Sequence, residues 1–148
     1  MRRRLTAVVT SLLVLAAARA QAQQAGVRAG VSSDPSQFYV GVHYQSAPLL
    51  DNLRFRPNVE IGFGDDRTLV GLNFEFAYSI PLTNSPWNLY VGGGPALNIY
   101  RFKGDSEAQG GFNILLGLQH TRGLFTELKV GAIDSPGVKF GVGYTFRR

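Results

Sequence analysis

The sequence has 148 residues, with 18 glycines, one tryptophan and no cysteine, and this length suits one compact domain. Without cysteine, the chain has no disulfide framework, thiolate metal site, cysteine nucleophile or lipid-anchored N-terminal cysteine. Of the 15 Lys and Arg residues, the four at Arg2, Arg3, Arg4 and Arg19 precede residue 20, which leaves 11 basic against 10 acidic residues. This near balance, and the lack of a basic run beside aromatic residues, exclude a nucleic-acid partner.

The first residues predict an export signal. Met1–Arg4 is basic, Leu5–Ala18 is an apolar stretch, and Ala20–Ala22 forms a small-x-small cleavage site. The apolar stretch is shorter than the roughly 18 residues that a membrane-spanning helix needs. We therefore expect a signal peptide at residues 1–22, export through the general secretory pathway, and a β-barrel domain at residues 23–148.

The rest of the chain shows strand periodicity. No segment after Gln24 keeps a helical period, whereas apolar and polar residues alternate in eight stretches of about the length that suits a membrane-spanning strand. The apolar positions of these stretches run over Ala25–Val31, Phe38–Tyr44, Leu53–Phe63, Val70–Tyr78, Trp87–Ile99, Phe112–Leu118, Leu124–Val130 and Val138–Phe146. The pattern predicts an all-β chain of eight antiparallel strands.

Short turn signals separate these strands, for example Ser33–Ser36 and Thr83–Pro86. Hairpin connections give an up-and-down order, and closing eight strands into a barrel removes both sheet edges. Two prolines interrupt the pattern, because a proline deletes a ladder donor. At Pro57 and Pro95 we expect a bulge or a strand end, and the inside–outside parity after Pro95 is left open.

The polar face distinguishes two kinds of barrel. A lipocalin-like barrel turns its apolar face inward around a ligand, whereas an outer-membrane barrel turns it outward to lipid. Here the bulky residues share the apolar face, and many glycines alternate with charges of both signs on the other face. These glycines are Gly26, Gly30, Gly41, Gly62, Gly71, Gly92, Gly94, Gly111, Gly117, Gly131, Gly141 and Gly143. A narrow lumen filled by long charged side chains needs such small neighbours, so the pattern favours an outward apolar face.

The charged positions of the polar face predict a lumen charge network. Its members are Arg28, Arg54, Arg56, Glu60, Glu75, Glu127, Lys129 and Lys139. A dry lumen holds such charges only as hydrogen-bonded pairs. A symmetric turn at Gly64–Arg67 makes cross-strand partners sum to 131, so Arg56 is expected opposite Glu75 as a salt bridge. The other interpretation of these charges is a solvated strand face.

The C-terminal segment Lys139–Phe146 has the pattern polar-x-Gly-x-x-apolar-x-apolar, with Lys139, Gly141, Tyr144 and Phe146 at the defined positions. It resembles the β-signal by which the barrel-assembly machinery of Gram-negative bacteria recognises its clients. Asn88–Tyr100 is similar to the tyrosine-then-glycine-rich strand of the small outer-membrane β-barrel superfamily, which includes the OmpA membrane domain, OmpX and opacity-type proteins. The chain departs from this family in ending on two arginines and in its short outer loops, of which only Arg101–Gln109 could present much surface.

The resemblance implies a monomeric integral protein of the cell outer membrane. Its expected partners are outer-membrane lipid and, during biogenesis, the barrel-assembly machinery and periplasmic chaperones. The expected role is structural or a narrow, low-conductance passage, because porin-sized channels need about 16 strands. The alternative is a soluble periplasmic or secreted lipocalin-like barrel that binds an apolar ligand.

A third possibility, an enzyme that acts on lipid A, finds no support in the residues. His120 is followed by Thr121 and Arg122 rather than by the H-x-S pattern of the outer-membrane deacylase, and His43 has no obvious serine partner. The acidic pairs Asp65–Asp66 and Asp105-x-Glu107 lie in expected hairpin tips and do not match a calcium-loop spacing. We expect no catalysis, no cofactor and no metal.

Overall fold

A computed structural model describes residues 24–34, 36–64, 67–133 and 137–147, which form eight antiparallel strands. The strands are β1 (Gln24–Ser33), β2 (Gln37–Gln45), β3 (Leu53–Gly64), β4 (Arg67–Pro81), β5 (Trp87–Phe102), β6 (Asp105–His120), β7 (Leu124–Ala132) and β8 (Val138–Thr145). Each strand pairs with its neighbours in the chain, and β8 pairs with β1 to close the barrel. The predicted eight-stranded up-and-down barrel is confirmed, while the predicted signal segment lies outside the described residues.

The alternation of the sequence places the charged face inside the barrel. In β2, the inward side chains of Tyr39 and His43 are 5% and 4% exposed. The outward side chains of Val40 and Val42 are 40% and 57% exposed. Among the described residues, sixteen polar or charged side chains are buried against seven hydrophobic ones. Most large apolar side chains of the strands project outward. This arrangement is the inverse of a soluble protein, whose buried residues are mainly apolar.

The two ends of the barrel are distinguished by the position of the chain termini. We call the end where β1 begins and β8 finishes the termini end, and the opposite one the far end. At the far end Phe102 pairs with Asp105, so that Lys103 and Gly104 alone form the tip of the β5–β6 hairpin, with Gly104 at a φ of 79°. The segment Arg101–Gln109 is therefore mostly paired strand and not the surface loop that the sequence suggested. The described residues include no helix long and apolar enough to cross a membrane.

Both prolines lie inside continuous strands, so the expectation of a bulge or strand end was wrong. The β3–β4 register continues unbroken past Pro57, and Ala96 after Pro95 faces inward as Tyr90 does before it. The missing N–H groups interrupt only the hydrogen-bond ladder on one side of each strand. The β2–β3 pairing stops at Asn58, and the β4–β5 pairing skips the positions opposite Gly94 and Pro95. A proline can thus remove a hydrogen bond without changing which side chains face the lumen.

Glycines make room for two large rings inside the barrel. Tyr90 on β5 lies over Gly117 on β6, and Phe125 on β7 lies over Gly143 on β8; a Cβ at either glycine would overlap the ring. Both rings are almost fully buried, Tyr90 at 1% and Phe125 at 2% exposure. The glycine-rich polar face therefore reflects the packing of a narrow lumen.

The packing of Tyr90 can be tested by Gly117→Val. The added side chain would displace the buried ring, and overpacking of this kind costs about 1–3 kcal/mol of folding free energy. Gly110→Val is the matched control, because a Cβ at Gly110 meets nothing within 4 Å. Urea unfolding of both variants in lipid vesicles measures the effect, and equal midpoints for the two would contradict the predicted contact.

Candidate functional site: a charged lumen

Seven of the eight residues predicted for the lumen charge network meet inside the barrel. They come from β1, β3, β4, β7 and β8, each at an inward position, and each is 1–5% exposed. These residues are Arg28, Arg56, Glu60, Glu75, Glu127, Lys129 and Lys139. Charges from strands on opposite sides of the barrel thus share one buried cluster. From here on, the name lumen charge network refers to these seven residues.

Glu60 on β3 contacts three cations. Its Oε1 lies 3.3 Å from Arg28 Nη1 and 3.2 Å from Lys129 Nζ. Its Oε2 accepts a short hydrogen bond from Lys139 Nζ. Hydrogen bonds in which both partners are ionised are shorter and stronger than neutral ones, and they offset part of the cost of burying a carboxylate.

Glu127 on β7 and Glu75 on β4 complete the lumen charge network. Glu127 Oε1 lies 3.2 Å from Arg28 Nη1, and Glu127 Oε2 accepts a hydrogen bond of 2.7 Å from Tyr90 Oη. Glu75 Oε1 lies 2.6 Å from Lys129 Nζ, which also lies 3.7 Å from Glu127 Oε1. Lys129 therefore contacts all three carboxylates and forms the centre of the cluster.

Arg56 does not form the salt bridge that register arithmetic suggested. Its Cα does pair with that of Glu75, as the sum of 131 predicts. Its guanidinium instead lies 3.6 Å from Glu127 Oε2, while Glu75 pairs with Lys129. The reason is geometric: inward side chains of a small barrel point to a common axis, so long ones reach partners across the lumen as easily as on the neighbouring strand.

Arg54, the eighth predicted residue, lies apart from the lumen charge network. It is only partly buried near the termini end, where its Nη1 donates to the backbone carbonyl of Ser46. Together with Arg147 it lines a polar cavity of about 190 Å³ at the mouth of the barrel. Gln45 and Gln119 form the inner wall of this mouth cavity.

A ring of amides supports the carboxylate of Glu75. Asn113 Nδ2 donates to Asn73 Oδ1, Asn73 Nδ2 donates to Asn58 Oδ1, each at 2.8 Å, and Asn58 Nδ2 donates to Glu75 Oε2 at 2.9 Å. The sequence placed these asparagines on the inner face but gave no sign of their order. The chain of hydrogen bonds fixes the Glu75 carboxylate beside Lys129, because the amide oxygens of Asn58 and Asn73 each accept from the next asparagine.

Phe125 is the main lumen residue that the sequence analysis missed. Its ring lies 5.4 Å from the Arg28 guanidinium carbon and 5.3 Å from that of Arg56, and Tyr90 lies 4.6 Å from the latter. Such distances allow cation–π attraction. The signal was present in the sequence, since Phe125 shares the parity of Glu127 and Lys129, but an apolar residue on a charged face was not singled out.

A second cluster of polar residues lies between the lumen charge network and the mouth cavity. Thr145 Oγ1 lies 3.0 Å from His43 Nε2 and accepts a hydrogen bond of 3.1 Å from Gln119 Nε2. The His43 ring packs edge-on against Phe125, with 5.2 Å between centroids. His43 is therefore a packed lumen residue, and its described hydrogen-bond partner is a threonine.

The four residues of the pattern that resembles an assembly signal lie on both faces of β8 and just beyond its end. Lys139 and Gly141 point inward, where Lys139 pairs with Glu60 and Gly141 lies against the Tyr39 hydroxyl. Tyr144 and Phe146 point outward, 41% and 53% exposed, with their ring centroids 5.5 Å apart. The pattern thus combines an inner half that packs the lumen with an outer aromatic half.

The remaining candidate residues that the structure describes, His120, Asp105 and Glu107, lie towards opposite ends of β6. His120 lies on the outer face, where its ring packs edge-on against Trp87 at 4.8 Å. Asp65 and Asp66 are outside the described residues. Asp105 and Glu107 lie exposed at the far end of β6. The described part of the chain contains no group of three His, Asp or Glu side chains arranged to hold a metal ion.

No protein-family model and no curated protein sequence matches this chain. Solved β-barrel structures share its fold. The crystal structure of Neisserial surface protein A (NspA) superposes with a TM-score of 0.61 and 15% identity, over 85% of this chain and 96% of that one. The N-terminal β-barrel domain of Pseudomonas aeruginosa OprF gives a TM-score of 0.56 and 14% identity, over 84% and 96% of the two chains. The chain therefore has the fold of the small eight-stranded outer-membrane barrels, as its resemblance to that superfamily implied.

Proposed function

We propose that this protein is an integral outer-membrane β-barrel whose lumen is closed by the lumen charge network. The observation that carries the proposal is the inverted arrangement of the two faces. Large apolar side chains cover the outside of every strand, and seven charged groups fill the inside. Such a surface is stable in a bilayer, where each strand also satisfies its backbone groups on both neighbours.

Aromatic residues at the termini end support a membrane setting. Tyr44, Tyr78, Trp87 and Tyr144 lie at outward positions near the end of their strands. Tyrosine and tryptophan are enriched at membrane interfaces, where an apolar ring and a polar group meet different surroundings. With termini in the periplasm, these residues would lie at the inner interface of the outer membrane.

The packed lumen favours a structural role, with at most a narrow, low-conductance passage. At mid-height Glu60, Glu75, Lys129 and Tyr90 are each no more than 2% exposed. An eight-stranded barrel has room for side chains but not for a porin-like channel. A soluble barrel with an apolar interior is disfavoured, because the described inner face carries mainly charged and amide groups.

The inner and outer halves of β8 support the assembly role that its sequence pattern suggests. We infer that Tyr144 and Phe146 are read by the barrel-assembly machinery while they are exposed. Lys139 and Gly141 then become buried when β8 closes on β1. In this proposal periplasmic chaperones protect the apolar faces before assembly, and the folded product is a monomer in contact with lipid. The name of Neisserial surface protein A, one of the similar structures, agrees with a cell-surface location.

Cell fractionation followed by gel electrophoresis tests the proposal. The protein should be in the outer-membrane fraction and should change mobility on boiling, as a folded membrane barrel does. Purified protein in planar lipid bilayers should show no openings of porin size. A soluble periplasmic band without a heat shift would overturn the proposed location, and stable large openings would overturn the closed lumen.

Lipid contact predicts a large effect of Leu72→Arg. Leu72 lies near the middle of β4 on the outer face, opposite Val59 and Leu97. An arginine there should destabilise the barrel by about 2–4 kcal/mol when it lies at the bilayer midplane. Leu50→Arg is the matched control, since Leu50 lies 72% exposed in the connection between β2 and β3. Urea unfolding in lipid vesicles would contradict the orientation if the two variants were equally stable.

The closed lumen predicts that Lys129→Met is strongly destabilising. The change removes the cation that contacts Glu60, Glu75 and Glu127, and leaving buried carboxylates short of a partner costs about 3–5 kcal/mol. Lys103→Met, at the exposed tip of the β5–β6 hairpin, removes the same charge from the surface and should leave stability unchanged within about 0.5 kcal/mol. The heat-shift gel assay measures the midpoint of urea unfolding for both variants. If Lys103→Met lowered this midpoint as much as Lys129→Met does, the lumen charge network would not be what stabilises the fold.

A further inference from the structure

The charges buried in the lumen do not balance. Four cations, Arg28, Arg56, Lys129 and Lys139, face three carboxylates. The contacts show where the excess positive charge lies. Lys129 touches all three carboxylates, whereas the single ion pair of Arg56 is its 3.6 Å contact with Glu127. Among the four cations Arg56 therefore has the weakest ion pairing, although it is only 3% exposed.

Four guanidinium nitrogens beside this excess charge are buried without a hydrogen-bond partner among the described residues. They are Nε and Nη2 of Arg28 and Nε and Nη2 of Arg56. A buried donor without an acceptor costs about 1–3 kcal/mol, and more when the group is charged. The two guanidinium groups are also neighbours, because both contact Glu127 and both lie within 5.4 Å of the Phe125 ring centroid.

The mouth cavity lies at the termini end of the barrel, and buried side chains separate it from these arginines. It is lined by Arg54 and Arg147, with Asp51 as the acidic residue in its wall. Gln45 and Gln119 close its inner side, and Gln119 connects through Thr145 to His43, which packs on Phe125. The cations Arg54 and Arg147 in the cavity wall attract anions and repel cations.

We propose that the termini-end half of the lumen binds a small inorganic anion of the size of chloride between Arg28 and Arg56. The anion would accept hydrogen bonds from the unpartnered guanidinium nitrogens and neutralise the excess charge of the lumen charge network. The packed surroundings favour a monatomic halide over a carboxylate or phosphate. The inference rests on the proposed function, since it requires the barrel to keep its charged face inside.

The proposal predicts that chloride stabilises the folded barrel. An anion that binds only the native state lowers the equilibrium constant of unfolding by one plus the ratio of its concentration to its dissociation constant, about tenfold at ten times that constant. The experiment measures urea unfolding of purified barrel in detergent by the heat-shift gel assay, in sodium chloride and in sodium gluconate at equal ionic strength. Gluconate is too large to enter the site and controls for general screening.

Variants assign the effect to the lumen. Arg56→Met makes the charge count of the described lumen even and should abolish the chloride response, whereas Arg56→Lys should retain part of it. Arg101→Gln is the matched control, because it removes one positive charge from an exposed position at the far end and should keep the full response. A chloride response that persists in Arg56→Met would overturn the proposed site.

The wild-type protein alone can also refute the proposal, even if Arg56→Met fails to fold. A barrel that shows the heat shift but unfolds identically in chloride and gluconate leaves the proposed function intact and rules out the anion site. A chain that shows no heat shift and is absent from the outer membrane would instead contradict the proposed function, and the anion site with it. Bromide soaked into crystals should give one anomalous peak between Arg28 and Arg56, and peaks confined to the barrel surface would overturn the site as an adventitious ion only.

Discussion

The rest of the structure depends on the burial of ionised groups inside a narrow closed sheet. Removing a carboxylate or an ammonium group from water costs several kcal/mol, and that cost is offset only by close, well-directed partners. The lumen charge network supplies such partners across the barrel: Lys129 contacts three carboxylates, and Glu60 contacts three cations. Because these residues come from five strands, their contacts also connect sides of the barrel that share no backbone ladder.

The same constraint explains the composition of the chain. The outer face carries the bulk of the apolar residues because it faces lipid in the proposed setting, and the inner face combines long charges with glycine because the lumen is narrow. Tyr90 illustrates the balance. Its ring fits over Gly117 and against the Arg56 guanidinium, while its hydroxyl donates to Glu127. Packing and charge compensation are therefore carried by the same side chains.

Much of this fold could be predicted from the sequence, because a period of two assigns each strand residue to a face. The register of β3 with β4 also followed from one symmetric turn. The partner of Arg56 did not, because a salt bridge in a small barrel depends on how far side chains reach across the axis. The prolines misled for a related reason: a missing N–H suggests a broken strand, but in β3 and β5 the neighbouring ladder positions hold the strand in place. Phe125 shows that an apolar residue on a polar face can pack against the cations of that face.

The most direct test of the central claim is fluorescence quenching by lipids brominated deep in their acyl chains. In a Trp87→Phe background, which removes the single tryptophan, new tryptophans would be introduced separately by Leu97→Trp on the outer face and Tyr90→Trp on the inner face. The account predicts strong quenching for Leu97→Trp and almost none for Tyr90→Trp. Strong quenching of the inner tryptophan, or none of the outer one, would contradict a barrel with its charges inside and its apolar face in lipid.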